Sequence, residues 1–464
     1  MKISKKNIID FLIYMIIIVL MSIFYLANAI GSRNDLSLLV VFTFIIIGII
    51  GFFMYVLDER YLSINKLIGV FVILFCSMAP YYQYCSRYNI WGLTSFDNND
   101  YIQANLLIIL FLIVFLISYY FINQKLKKKI IKEKKIETQK INDKKTLTPF
   151  ILFVFIFLSL LSLIYLFVSG NLIDFDGNTV EKSSLEIFSL KIFYYFPVSC
   201  LLYFIFENRK GNVKLSKFEK NLFIFIILLI IVIIFFPFNG SISRYLLLGT
   251  YIALFYALSY KFKHSSFVLL AFAIGFYLIF PAMNFFKYHS ILDIAEFKFG
   301  GFDFNSPDYD AHQVFMMTIK YIKSNGLLYG KNFLSAIFCL IPRTIWESKL
   351  EQTGSIVANY YGGSFTNLSC PFFAESYAAF GSIGIVFITP ILAYLIIKIE
   401  TKAKTGSTIA KCLETSLLGL IIYYMRGALL PTTSFLLGVF LSSVIVYFLV
   451  KVLTTKKITN GVYK

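Results

Sequence analysis

Long apolar runs recur from one end of this chain to the other, and nothing constrains its folding more. Most reach the roughly 17–25 residues needed to cross a hydrocarbon core of about 30 Å. They fall at about 9–29, 36–57, 67–83, 102–122, 148–169, 190–206, 221–238, 245–260, 266–286, 381–398, 412–425 and 432–450, the eleventh being the weakest. Inside a bilayer, backbone N–H and C=O groups find no water, so a spanning segment must bond them within a helix or a closed barrel. No ten-residue alternation of the barrel kind is present. The chain therefore reads as an all-α polytopic membrane protein of about 12 transmembrane helices. Hydrophobic residues make up 58% of it, against roughly 45–50% in a soluble domain, which agrees.

Charge sets the orientation. With the N-terminus in the cytoplasm and alternating spans, thirty of the forty-three Lys and Arg fall inside, ten of them in 123–147. Ten of the twenty-five acids fall there too. The formal charge of +18 is then the positive-inside bias of a multi-pass protein, not a nucleic-acid surface. The lysine-rich stretch reads as a cytoplasmic loop facing lipid headgroups. Both termini fall inside. Ala27-Asn28-Ala29 resembles a signal-peptidase site, but the preceding apolar run exceeds the usual 7–15 residues and reads as an uncleaved first helix. The six cysteines show no metal-ligand spacing. The chain lacks GxxxxGK[ST], HExxH and GxSxG, which argues against ATP-driven transport and zinc or serine hydrolysis.

Three regions follow: spans one to nine over 1–286, a hydrophilic loop over 287–380, and spans ten to twelve with a tail over 381–464. The loop lies outside and carries most of the exposed chemistry. It opens with acids at 293, 296, 303, 308 and 310. Ser306 or Asp308 can cap a helix with Ala311, Val314, Phe315, Thr318 and Ile322 on one face. The apolar run before Pro342 is too short to span and should lie on the membrane or dip into the bundle. Pro371 precedes a helix holding Glu375 and Tyr377, which reaches the tenth span at Gly381.

Arginines stand at the outer boundary: Arg244 at the start of span eight, Arg426 after span eleven, and Arg343 with Lys349 in the loop. A guanidinium near the membrane persists mainly with an anionic partner. Its planar fork matches phosphate oxygens in pairs. These residues either hold a phosphate-bearing substrate or pair with carboxylates and lipid headgroups. Glu375, His312 and Asp310 are the candidate bases. Glu375 stands among apolar residues, where burial would raise it from about 4.3 toward working pH. Trp346, Tyr361 and Tyr377 could stack on sugars or belong to an interfacial belt.

"PRTIWESK" at 342–349, "PFFAESYAAFG" at 371–381 and "GSISRY" around Arg244 resemble the Wzy-type O-antigen and oligosaccharide repeat-unit polymerases. Span number and a single large loop near the C-terminal third fit as well. The resemblance implies a GT-C-like glycosyltransferase of the bacterial inner membrane. Its substrates would be undecaprenyl-pyrophosphate-linked oligosaccharides on the periplasmic face, the growing chain passing to the non-reducing end of a new unit. It implies no metal and no cofactor. As partners it implies membrane lipids, a chain-length regulator and a flippase. Arg244, Arg343, Arg426 and Lys349 would meet pyrophosphate; Glu375, or else His312 or Asp310, would serve as base; Trp346, Tyr377 and Tyr361 would hold sugar or lipid. The alternatives are an O-antigen ligase and a repeat-unit flippase or secondary transporter. In a cysteine-free background, a cysteine at Ser306 is expected to react with an impermeant reagent added outside, and one at Glu133 to stay unlabelled. The reverse pattern inverts the orientation.

Overall fold

The computed structural model describes residues 5–32, 36–137, 147–170, 184–236, 243–259, 262–275, 285 and 304–459. The acids at 293, 296 and 303 and the run ends at 237–238, 260 and 276–284 lie outside the described residues. Those described form helices, with a single β-bridge, Leu147 to Val213. The membrane-type helices up to the loop are α1 (Lys5–Ser32), α2 (Leu38–Val56), α3 (Ile64–Ser86), α4 (Asn98–Glu137), α5 (Pro149–Val168), α6 (Ser184–Arg209), α7 (Lys217–Ile234), α8 (Arg244–Leu258) and α9 (Ser265–Ile274). The loop holds α10 (Ala311–Asn325), α11 (Lys331–Ile337) and α12 (Thr353–Tyr360). The chain closes with α13 (Phe372–Lys404), α14 (Thr408–Arg426) and α15 (Leu429–Thr459). Among the described residues, nine helices are long and apolar enough to cross a membrane: α1 to α6 and α13 to α15. The protein is therefore an all-α polytopic membrane protein. Helix α7 carries Lys217, Glu219 and Lys220 in its first turn, and α8 and α9 are shorter.

Local chemistry explains the helix ends. Ser63 accepts from the Lys66 N–H at the start of α3, and Ser216 with Glu219 forms a reciprocal capping box on α7. Helix α4 differs from expectation. The lysine-rich stretch is not loop from residue 123 but continues α4 to Glu137. No Gly or Pro interrupts 98–137, and Leu, Ile, Lys and Glu keep the helix going. Helix α3 relaxes to π-helical geometry over Val72–Met78. Helix α13 breaks where the sequence placed the change from loop to span: Gly381 takes φ 66°, ψ −151°, a conformation essentially reserved for glycine.

Contacts sort the helix ends into two faces. At one face Arg60 joins Glu400, from the end of α13, at 2.8 Å, and Tyr119 of α4 donates to the same carboxylate at 2.9 Å. Glu207 of α6 and Thr408 of α14 meet there, as do the Tyr61 hydroxyl and the Tyr256 carbonyl near the end of α8. These acids lie just beyond the apolar runs, because the helices extend a turn further than hydropathy indicates. At the opposite face stand the start of α8, the end of α14 and the described loop. Lys320 of α10 pairs with Asp100 at the start of α4 at 2.8 Å.

Helices α8 and α14 cross where Gly249 faces Gly419. A Cβ on either would meet the other's backbone carbonyl well inside contact distance. Small residues let helix backbones approach this closely in membranes. The crossing lies five residues from Arg244 and seven from Arg426, so it brings both arginines to the same face. Gly419→Leu should separate the pair and cost about 1–3 kcal/mol, as overpacking does. A lower thermal unfolding midpoint in detergent is expected; an unchanged midpoint would show that the crossing bears no load.

Candidate functional site

The two arginines converge on residues 306–310. Ser306 caps a single 3-10 turn, Pro307–Tyr309, which leads into α10. Arg244 Nη1 donates to Asp308 Oδ2 at 2.9 Å, and Ser306 Oγ donates to the same atom at 3.0 Å. Arg426 reaches the turn from the other side. Its Nε donates to the Asp308 carbonyl at 2.8 Å, and its Nη2 donates to the Pro307 carbonyl at 3.0 Å and to Asp310 Oδ1 at 2.9 Å. Tyr245 supports both: its hydroxyl donates to the Asp308 carbonyl at 2.7 Å, and its ring lies 4.6 Å from the Arg426 guanidinium.

Asp310 is 1% exposed. Besides Arg426 it accepts from Ser369 Oγ at 2.6 Å and from Trp91 Nε1 at 3.2 Å. Burial pushes its carboxyl above the usual 3.8, while Arg426 and the Ser369 donors pull it back. The cluster thus balances two guanidinium groups against two carboxylates in a largely closed setting. Arg244 and Arg426 keep 14% and 15% of their side chains exposed, so the opening is on the arginine side.

His312 follows two residues later and is fully buried. Asn105 Nδ2 donates to Thr43 Oγ1 at 2.8 Å, which turns its Oδ1 toward His312 Nε2 at 2.7 Å. This hydrogen-bond order assigns the proton to Nε2 and leaves Nδ1 as a bare lone pair, for which no partner is found among the described residues. Tyr101 stacks on the ring at 5.9 Å. Burial pushes the imidazole down to about 3, so it is neutral at ordinary pH.

Glu375 is a separate node. Its carboxylate accepts from Asn332 Nδ2 at 2.8 Å, from the Leu429 N–H at 2.9 Å and from Thr353 Oγ1. It therefore ties α11, α12, α13 and the start of α15 together. Tyr377 is 9% exposed and packs edge-on to Phe315, while Tyr361 packs beside Tyr360.

The remaining candidates lie elsewhere. Arg343 pairs with Glu351 at 3.3 Å, with about half of each side chain exposed. Trp346 Nε1 donates to Ser348 Oγ, and Lys349 donates to the Cys339 and Ile341 carbonyls. Among the described residues, the hydrogen bonds and ion pairs of these three side chains stay within 339–351. The structure thus brings together Arg244, Arg426 and Asp310, buries His312 and Glu375 in networks of their own, and leaves Arg343, Lys349 and Trp346 in a separate segment. Trp91, Ser369, Tyr245 and Asn105 complete the site and escaped the sequence reading. Only Trp91, lone in a short outer loop, carried any visible signal.

No family model, curated protein or solved structure matches this chain.

For His312 the sign of the pH effect is fixed. The unfolded chain takes up a proton as pH falls through 6.5, and the folded chain refuses it until about 3. Stability contributed by the neutral ring is therefore full above 6.5 and is lost as pH falls toward 3. His312→Phe removes this term. Its unfolding midpoint should fall less steeply over that window than the wild type's, even if lower at neutral pH. Equal slopes would refute the buried neutral ring.

Proposed function

We propose that the protein is a glycosyltransferase that polymerises lipid-linked oligosaccharide units at the outer face of a bacterial inner membrane. The observation that carries this reading is the convergence of Arg244 and Arg426, from two separate helices, beside buried Asp310 at the face that bears the loop. In this reading α7, α8 and α9 also cross, giving twelve spans with both termini cytoplasmic, in a GT-C-like arrangement.

Arg244 offers Nε and Nη2 beyond its bond to Asp308, and Arg426 offers Nη1. A pyrophosphate oxygen would take these donors beside the bonds to Asp308 and Asp310. The arginines would then stabilise the charge that develops as pyrophosphate leaves, a preorganised electrostatic role. Asp310 is better suited to the base than its rivals. Burial raises its carboxyl, it adjoins Arg426, and general-base help of this kind is worth roughly 10²–10⁴-fold. His312 is a weak base stacked on Tyr101, and Glu375 lies in a separate network with no arginine among its partners in the described residues. The acceptor hydroxyl would lose its proton to Asp310 and attack the anomeric carbon of the donor, with pyrophosphate leaving. Arg343, Lys349 and Trp346 would meet substrate or lipid at a second contact.

The test is a surface-polysaccharide gel of a strain lacking this gene, complemented with variants. Deletion should leave a single repeat unit in place of the ladder. Asp310→Asn and Arg244→Gln should fail to restore the ladder while the protein accumulates normally, with Arg343→Ala less severe. Loss of even the single unit would point to a ligase or flippase. An unchanged ladder after deletion would remove the protein from polysaccharide assembly.

A further inference from the structure

Helix α11 has its polarity reversed for a helix in water. Its polar residues Asn332 and Ser335 are buried, together with Ala336. Asn332 donates to Glu375, and Ser335 Oγ accepts from the Leu350 N–H at 3.0 Å. The apolar residues Leu334, Ile337 and Phe338 share the outward face, at i, i+3 and i+4 spacing, and all three are exposed. A surface helix in water keeps the opposite order, with its apolar stripe against the core and its polar residues outward. The exposed apolar side chains continue past the helix to Leu340 and to Ile345, which is 78% open. From Asn332 to Pro342 the chain carries no charge. Single exposed apolar residues need no explanation, but a continuous set marks a contact surface.

Position identifies what covers this face. The helix follows Gly330, where an added Cβ would meet the Phe380 ring at 2.9 Å. Phe380 stands one residue before the break in α13 at Gly381, and the exposed side of α13 runs on from it through Ile383 and Phe387. Helix α11 also packs against α15. Cys339, just beyond α11, lies within electrostatic reach of Lys191, whose ammonium donates to Ser434 Oγ at 2.7 Å. Ser434 is five residues, about 8 Å, inside the start of α15. The segment is therefore level with the ends of two spans and continuous with a surface that lipid must surround. We propose that Leu334–Ile345 lies in the plane of the leaflet at the loop face, with its apolar side chains among phospholipid acyl chains just below the headgroups. In-plane segments of this kind sink about 5–10 Å into the headgroup and acyl boundary. Of the two placements open to the apolar run before Pro342, the membrane surface follows, because the side turned toward the bundle is the polar one. This membrane contact holds whether or not the protein transfers sugars.

The chain has two tryptophans, Trp91 and Trp346, and Trp346 adjoins Ile345. The difference in emission between wild type and Trp346→Phe therefore reports on this segment alone. Full-length protein is placed in nanodiscs of phosphatidylethanolamine and phosphatidylglycerol whose chains carry bromine either just below the glycerol or at the far end; aqueous iodide is added separately. Trp346 should be quenched several-fold more by the upper bromine than by the far-end bromine or by iodide, since tryptophan settles at headgroup level. Combining Ile337→Asp with Ile345→Asp should make iodide the strongest quencher. In the wild type, strongest quenching by iodide would place the segment in water, strongest quenching by the far-end bromine would place it deep in the bilayer, and quenching by none would place it against protein. Each of these outcomes overturns the placement. Should Trp346→Phe not fold, Ile345→Trp, at an open position, supplies the difference instead.

Discussion

Two guanidinium groups hold five residues of the loop against the helix bundle, and the outer half of the molecule is organised around that grip. Arg244 takes the Asp308 carboxylate; Arg426 takes two carbonyls and Asp310. Breaking a buried pair by removing one partner typically costs about 3–5 kcal/mol, because the other charge is left without compensation. The turn at 307–309 then fixes where α10 begins, and α10 carries His312 into the core and packs against α12 and α13. The grip itself rests on a glycine pair. Without the close approach at Gly249 and Gly419, the two arginines could not share one short turn.

Charge is distributed differently at the two faces. At the loop face Arg244 and Arg426 are balanced by buried acids. The opposite face has Arg60 between Asp58 and Glu400, with Tyr119 completing the bonds. Both clusters sit at helix ends, where several helices meet and buried charges can be paired. Between them the interior is held by hydroxyls, as in Ser199 with Ser442 at 2.7 Å. Such bonds add specificity to packing that apolar side chains alone would leave loosely defined.

Much of this was legible in the sequence. Apolar run length gave the all-helical class, and Gly381 marked the change from loop to span because its conformation excludes other residues. The spacing of Ala311, Val314, Phe315, Thr318 and Ile322 marked one face of α10, and all five are buried, but His312, Gln313, Met316, Met317 and Ile319 are buried as well, so the helix is enclosed on more sides than periodicity indicated. Partnerships were not legible. Arg244 finds Asp308 across sixty-four residues, and Trp91 finds Asp310 across more than two hundred. No local periodicity encodes such pairings. Arg343 and Trp346 looked equivalent to Arg244 as sequence, yet they differ because the segment after α11 folds onto itself. The helical extension of α4 past its apolar run was not legible for a simpler reason: lysines stop a membrane span but do not stop a helix.

Glu375 adds a temporal constraint. The first N–H of a helix has no partner inside the helix and carries part of its positive end. For α15 that N–H belongs to Leu429, and its acceptor is the Glu375 carboxylate, fifty-four residues earlier in the chain. Helix α15 is therefore capped by a residue made long before it. Asn332 and Thr353, made earlier still, hold that carboxylate in place. The start of α15 takes its acceptor from the cap, and that bond in turn fastens the cap to α15. Helix and loop thus meet in a clasp: α15 serves both as a candidate membrane span and, through its first N–H, as a fastening for the loop that precedes it.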